Sequence, residues 1–283
     1  MKILITGAGG QLAMEFQRYL KKDSQYQVTA LNKKSLDIAD LKAVSETISY
    51  LKPSIVLNCS AYNLVDSAEE DSDTAFKVNA AGVKNLAVSC KKYNALPVHY
   101  STDYVFDGAK EGFYTEDDTP NPINSYGKTK LAGERFLAEE TNNFLLFRVS
   151  WVFGPGQQNF LYRLLDLAKR NNVLKVVCDQ ISVPTYTEDI VRLTMTAIEK
   201  GVKGLYHLTN DGYASRYEVA RYYIERLKLP NLVLPVESNF FPASAKRPYF
   251  SAMSHAKISH ALQQELPDWR DAIDKFVKRG AKE

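Results

Sequence analysis

A doubly wound parallel α/β sheet is the fold the sequence predicts. Three observations predict it: apolar runs of strand length alternate with segments of helical period, a glycine cluster directly follows the first run, and no linker divides the chain. In the first half, residues 3–6, 27–31, 54–59, 97–101 and 144–150 read as strands. Between them Leu41, Val44, Ile48 and Leu51 share a face at steps of three and four, and Phe76, Val83, Leu86, Ala87 and Cys90 do the same in the next segment. Parallel strands need crossover connections, and crossovers pack as helices over both faces of the sheet.

The second half is less regular. It offers a helix at 160–168, a strand-like 175–178, a helix at 188–198, an apolar 205–208 and a helix at 216–227. Ser215 with Glu218 three residues later predicts a capping box at the start of that last helix. No Gly/Ser/Pro-rich linker, repeat or low-complexity stretch separates the halves. The expected organisation is a Rossmann-like α/β fold with a smaller interleaved α/β lobe. Residues 1–150 form the dinucleotide-binding domain, segments near 185–210 return to it, and 151–283 are mainly the substrate-binding lobe.

Composition narrows the function classes. With 283 residues and 45% hydrophobic content the chain can bury a substantial core, so disorder is not the expectation. Lysine and arginine (36) nearly balance aspartate and glutamate (33), which argues against a nucleic-acid partner. MKILITG at the N-terminus is too short an apolar run for a secretion signal or a membrane span, so a cytoplasmic address with no membrane partner is expected. Cys59, Cys90 and Cys178 form no C-x-x-C pair and read as reduced thiols, and His99, His207, His255 and His260 lack metal-ligand spacing.

Immediately after the first strand comes Gly7-Ala8-Gly9-Gly10-Gln11-Leu12-Ala13, opening a helix. Glycine permits a tight turn and close backbone approach to a pyrophosphate, while a helix N-terminus offers unpaired N–H groups to the anion. Gly7, Gly10, Gln11 and Leu12 are therefore candidate contacts for a dinucleotide. The second strand ends Leu31-Asn32-Lys33-Lys34, a neutral amide and two lysines where a carboxylate would read an unphosphorylated ribose. That favours NADPH through Asn32 and Lys33, with NADH acceptance and a merely solvated lysine pair as the alternatives. Asp37 and Ile38 are placed to face the adenine.

Tyr126 and Lys130 lie four apart in Tyr126-Gly127-Lys128-Thr129-Lys130 and share a helix face. A carbonyl reductase needs a proton donor for the alkoxide that hydride transfer creates. An ordinary tyrosine pKa of about 10 suits that role poorly, and a neighbouring ammonium would lower it. Ser101-Thr102-Asp103 ends the strand that begins at Pro97, on the edge where ligands sit in open α/β sheets. Thr102 is the candidate donor to a substrate carbonyl, although Ser, Thr and Asp also cap turns.

Several of these strings in fixed order resemble the dTDP-4-dehydrorhamnose reductase family of extended short-chain dehydrogenases. They are STDYVFDG at 101–108, YGKTKLAGE at 126–134, RVSWVFG at 148–154, and Asp179-Gln180 with Val183-Pro184-Thr185. The likeness runs from GAGGQLA at 7–13 to Pro267-Asp268-Trp269. The resemblance implies reduction of the 4-keto group of dTDP-4-dehydro-L-rhamnose, with Thr102, Tyr126 and Lys130 as the catalytic set. Ser60, Ala61 and Tyr62 would join the cofactor contacts, Asp103, Val105 and Trp151 would line the sugar pocket, and Arg247 would lie near the nucleotide. Departures from the family pattern fall at Asn63 (commonly Thr), Ser182 (commonly Gly) and Arg216 (commonly Trp). Some relatives carry magnesium at a dimer interface. Glu15 and Glu188 match such acids, but carboxylates on separate helices are ordinarily solvated, so no metal is assigned and the chain is expected to be a monomer or homodimer. Two alternatives stay open: a reductase of another nucleotide-linked 4-keto deoxysugar, and a noncatalytic cofactor-binding regulatory subunit.

Overall fold

The structure, a computed structural model, describes residues 1–280. The first half runs β1 (Lys2–Thr6), α1 (Gln11–Leu20), β2 (Gln27–Leu31), α2 (Leu41–Leu51), β3 (Ile55–Asn58), α3 (Ser67–Glu70) and α4 (Ser72–Phe76). A π-helical turn (Lys77–Ala81) follows, then α5 (Gly82–Lys92), β4 (Leu96–Thr102), α6 (Ser125–Glu140) and β5 (Leu145–Val149). The second half runs β6 (Val152–Phe153), α7 (Phe160–Ala168), β7 (Val173–Val177), β8 (Ile181–Ser182), β9 (Thr185–Tyr186), α8 (Thr187–Glu199) and β10 (Gly204–His207). It ends with β11 (Ala214–Ser215), α9 (Arg216–Arg226), β12 (Leu232–Val236), α10 (Ala256–Leu262) and α11 (Trp269–Gly280).

Among the described residues β10, β5, β4, β3, β1 and β2 form, in that order, one parallel sheet. The chain steps outward from β1 to β2 on one side and to β3 on the other, which opens a crevice at the carboxyl ends of β1 and β3. Successive residues of β1 point to opposite faces. Ile3 and Ile5 pack with Phe16 and Leu20 of α1 and with Ile190 of α8, whereas Leu4 packs with Val44 and Ile48 of α2 and Leu86 of α5. β10 closes the sheet beside β5, so the chain re-enters it after the segments that build the second lobe. That lobe has its own core, with Phe153, Leu164, Tyr186, Tyr223 and Trp269 at its centre. The capping box is present, with Ser215 and Glu218 bonding reciprocally at the start of α9. No helix of the described residues is long and apolar enough to cross a membrane.

The periodic segment around residues 76–90 is not one α-helix. The π-helical turn interrupts it, and Asn79 at that turn uses its side chain on the chain after β3. Its Oδ1 accepts the Tyr62 N–H at 2.9 Å and its Nδ2 donates to the Tyr62 carbonyl at 3.1 Å. Periodicity of apolar residues does not reveal such an inserted residue, because the residues on either side keep their helical spacing.

Between α6 and β5 the Glu134 carboxylate takes hydrogen bonds from Arg148, 2.7 Å to Nη2 and 3.0 Å to Nε, and both side chains are 5% exposed or less. Arg148 also approaches His207 of β10 at 3.4 Å, so one buried pair ties the tyrosine-bearing helix to two strands. Removing one partner leaves a buried charge uncompensated. Glu134→Ala should therefore lower unfolding free energy by about 3 to 5 kcal/mol, and Glu134→Gln by clearly less, as read from urea denaturation midpoints.

Candidate active site

The crevice between β1 and β3 continues into a cleft of about 280 Å³ at the carboxyl edge of the sheet. Gly10, Gln11 and Leu12 line one end of it, Ser60 and Ala61 the flank, and Thr102, Asp103, Tyr126, Lys130 and Trp151 the other end. Residues expected from separate motifs thus face one space.

The glycine turn works as a scaffold. Gly7 has φ of 65°, and a Cβ there would lie 2.8 Å from the Cys59 carbonyl, so glycine lets β1 and β3 approach closely where they diverge. Its carbonyl accepts the Gly10 N–H at 2.8 Å. Gly10 caps α1 without a side-chain hydrogen bond, and no acidic residue occupies the first turn. The N–H groups of that turn are left for an anion. Gly7 itself faces β3, and Gly10 to Leu12 face the cleft.

At the end of β2, Asn32 Oδ1 accepts the N–H groups of Lys34 and Ser35 at 3.0 and 3.1 Å, which fixes the turn and leaves Lys33 and Lys34 exposed. Asp37 bonds the Ala39 N–H at 3.0 Å, and Ile38 is buried against Gly82, where even a methyl group would collide. Asn32, Lys33, Asp37 and Ile38, the four expected at this end of the cofactor, lie outside the cleft lining, beside the β2 edge. Tyr62 is held by Asn79 rather than lining the cleft.

Tyr126 and Lys130 take their places from α6. Asn124 caps the helix, its Oδ1 accepting the Gly127 N–H at 2.7 Å and its Nδ2 donating to the Lys246 carbonyl at 2.8 Å. Gly127 is required because a Cβ there would lie 2.1 Å from the Tyr104 carbonyl. The cap therefore seats Tyr126 against Tyr104, ring centroids 6.0 Å apart and edge to face. Burial raises the Tyr126 phenol above its ordinary range, with the neighbouring Thr102 hydroxyl opposing the shift. Its proton is therefore firmly held at neutral pH, a difference from the lowered value expected of a tyrosine beside an ammonium.

Lys130 is fully buried, and its Nζ donates to the Tyr100 carbonyl at 2.5 Å. Burial lowers its pKa to about 8, with Glu134 one turn away acting in the opposite sense.

Asp103 is a joint as much as a lining group. Its carboxylate accepts Ser251 Oγ at 2.6 Å, Ser182 Oγ at 2.9 Å and Thr102 Oγ1 at 3.1 Å. Burial raises its pKa while the three hydroxyls oppose the shift. The Thr102 hydroxyl also accepts the Tyr104 N–H at 3.1 Å, which fixes its oxygen between strand and turn.

Trp151 follows β5 with φ of 38°, a left-handed conformation that a bulky side chain rarely adopts, and it separates the cleft from a second lobe-side recess lined by Phe160, Pro184 and Arg216. Of the residues expected around the substrate, two lie outside the cleft lining. Val105 is wholly buried among Phe106, Tyr114, Leu131 and Met253, because the 3₁₀ turn Asp103–Val105 rotates it off the sheet edge into the core. Arg247 is clamped by Asp66, Nη1 at 3.0 Å and Nη2 at 2.5 Å. Sequence reasoning missed Asn58, Cys59, Val65 and Gln158 in the lining. Position at the end of β3 was a usable signal for Asn58 and Cys59; Gln158 sits in a loop with no local signature.

Glu15 and Glu188 face the same two arginines. Burial pushes the Glu15 carboxyl up, but hydrogen bonds from Arg18 and Arg279 overcome this and hold it below the usual range. The same two guanidiniums reach Glu188 at 3.1 and 3.5 Å, so both carboxylates already face cations.

A doubly wound sheet with a glycine turn at its switch point and a Tyr-x-x-x-Lys pair at its carboxyl edge defines a nicotinamide-dependent oxidoreductase of the extended short-chain dehydrogenase class. Within that class the chain belongs to the RmlD substrate binding domain family, whose model matches residues 1–282. It is 37% identical over 277 residues to a spore coat polysaccharide biosynthesis protein of Bacillus subtilis, covering 98% of this chain and 97% of that one. It is also 37% identical to a dTDP-4-dehydrorhamnose reductase of Aggregatibacter actinomycetemcomitans, covering 96% of this chain and 97% of that one. The solved dTDP-4-dehydrorhamnose reductase of Bacillus anthracis, in complex with NADP, superposes with a TM-score of 0.96 at 35% identity, covering 98% of this chain and 99% of that one.

The environment of Lys130 makes a direct prediction. In a ¹³C-lysine NMR titration one signal, absent from Lys130→Arg, should lose its proton near pH 8 while exposed lysines remain charged. Glu134→Gln should move that titration to lower pH, because it removes the nearby negative charge. A signal that stays charged beyond pH 10 would show that burial does not dominate there.

Proposed function

We propose that the protein reduces the 4-keto group of dTDP-4-dehydro-L-rhamnose to give dTDP-L-rhamnose, by hydride transfer from NADPH with Tyr126 as general acid. The observation that carries this reading is the single cleft shared by the uncapped first turn of α1 and the Thr102, Tyr126 and Lys130 side chains. The names of the relatives and the NADP complex of the Bacillus anthracis protein support it.

When bound, NADPH supplies the hydride. The residues that would hold it are Gly10, Gln11 and Leu12 at the pyrophosphate, Lys33 and Lys34 at the 2′-phosphate, Ser60 and Ala61 along the flank, and Lys130 at the ribose. Tyr126 keeps its proton at neutral pH because its ring is buried, and it releases that proton from Oη only to a strongly basic acceptor such as the developing alkoxide. Thr102 has one hydroxyl proton, which it gives to Asp103. Turning that proton toward a sugar carbonyl still leaves Asp103 with the Ser182 and Ser251 hydroxyls, so the switch is inexpensive. Trp151 and the recess beyond it bind the remote part of the substrate and exclude water.

The direct experiment is NADPH consumption on enzymatically generated dTDP-4-keto-6-deoxysugar, with the product identified by NMR. A different sugar configuration in the product would assign the enzyme to another nucleotide-linked 4-keto deoxysugar. Tyr126→Phe should lower kcat by about 10² to 10⁴ while leaving the Kd for NADPH within a factor of two, because only the proton donor is removed. Retention of half the wild-type kcat under chemistry-limited conditions would remove Tyr126 from the role. Replacing Lys33 and Lys34 by alanine should weaken NADPH binding by about 1 to 2 kcal/mol at low salt and NADH binding by much less, the difference shrinking as salt rises. Equal losses for both cofactors would show that neither lysine reads the 2′-phosphate.

A further inference from the structure

Two arginines of the second lobe act on the buried Tyr104, whose ring packs against Tyr126, and they differ in one respect. Arg247 makes two hydrogen bonds to Asp66 and a third, at 3.0 Å, to the Ala245 carbonyl. Its charge is compensated and its donors are engaged. Arg216 is half-buried, and among the described residues it has no carboxylate within ion-pair distance. Its guanidinium lies 4.1 Å from the Trp151 ring centroid and 5.2 Å from that of Phe160, stacked on the wall that divides the cleft from the recess.

Position adds to the anomaly. Arg216 is the first residue of α9, where the helix dipole disfavours a cation and favours an anion. Ser215 and Glu218 cap that helix reciprocally, so the capping acid serves the backbone and not the guanidinium. An arginine that is partly desolvated, at the unfavourable end of a helix and flanked by aromatic rings has, among the described residues, only the Tyr104 hydroxyl as a hydrogen-bond partner, and the Asp103 charge acts on it from beyond ion-pair distance. Its remaining planar donors are available to a ligand that brings an anion.

We propose that Arg216, and not Arg247, is the residue that reads the diphosphate of the nucleotide-sugar, with Arg247 and Asp66 forming a fixed strap at the cleft mouth. This rests on the nucleotide-sugar reading above. Arg216 then determines affinity for the substrate's diphosphate rather than the rate of hydride transfer. Its stacking on Trp151 keeps the guanidinium plane fixed on the recess side of that wall.

The test is isothermal titration of the full-length chain with dTDP at two salt concentrations, on wild type, Arg216→Gln and Arg216→Lys, with NADPH affinity and melting temperature measured in parallel. Arg216→Gln should weaken dTDP binding by about 10- to 100-fold, the range that charge-assisted hydrogen bonds give. It should flatten the salt dependence and leave NADPH affinity within a factor of two, and Arg216→Lys should recover part of the loss. A residue that only supports Trp151 would not change the salt dependence. If wild type binds dTDP and Arg216→Gln binds it within a factor of two, the assignment of Arg216 is overturned while the functional reading stands. If wild type prefers UDP or GDP to dTDP, the thymidine reading fails, and the same variant ratio on the preferred diphosphate decides the role of Arg216. Binding to no nucleoside diphosphate would overturn both.

Discussion

The arrangement of the cleft depends on one buried carboxylate. Asp103 sits at the end of β4, and three hydroxyls from three separate stretches of chain converge on it: Thr102 from the strand itself, Ser182 from β8 and Ser251 from the loop before α10. Burying an ion is costly unless each lone pair finds a donor, and here three donors share the task with no cation among them. The second lobe is therefore registered on the sheet by directional bonds at the edge of the cleft. An apolar contact of similar area would hold the lobes together but would not fix their angle.

The electrostatic design of the site is one of opposed burial. The same desolvation that keeps the Tyr126 phenol protonated pulls the Lys130 ammonium toward neutrality, and the two lie one helical turn apart. Glu134, one further turn along, restrains Lys130, but it is itself engaged by Arg148. The charge of α6 is thus distributed along a single buried face, from the cleft down to the sheet. Changes at the base of that face are transmitted to the catalytic end through Coulomb interactions in a poorly screened interior.

Much of this was legible in the sequence where the signal is local. Strand and helix alternation gave the parallel sheet, and Tyr126 and Lys130 were found from a spacing that any helix converts into a shared face. The glycine turn was found from its place after the first strand. What was not legible rests on long-range partners. The Asp66 to Arg247 clamp joins residues 181 positions apart, so the partner that holds this arginine could not be read from any local motif. Val105 was expected in the sugar pocket because it follows Asp103, yet a single 3₁₀ turn sends it into the core. The short strands β6, β8, β9 and β11 are each two residues long and carry no periodicity to detect.

The π-helical turn at Lys77–Ala81 shows how such a site can be reshaped by length alone. One residue more than an α-helix needs is accommodated there, and the surplus aims Asn79 at the backbone of Tyr62. Deleting a residue from this turn would restore the regular ladder of hydrogen bonds and would rotate α4 by about 100° against α5. The helix would become more ordinary and the loop that holds Tyr62 beside the cleft would lose its anchor. A shorter chain would thus keep the fold and give up the side chain that pins this loop.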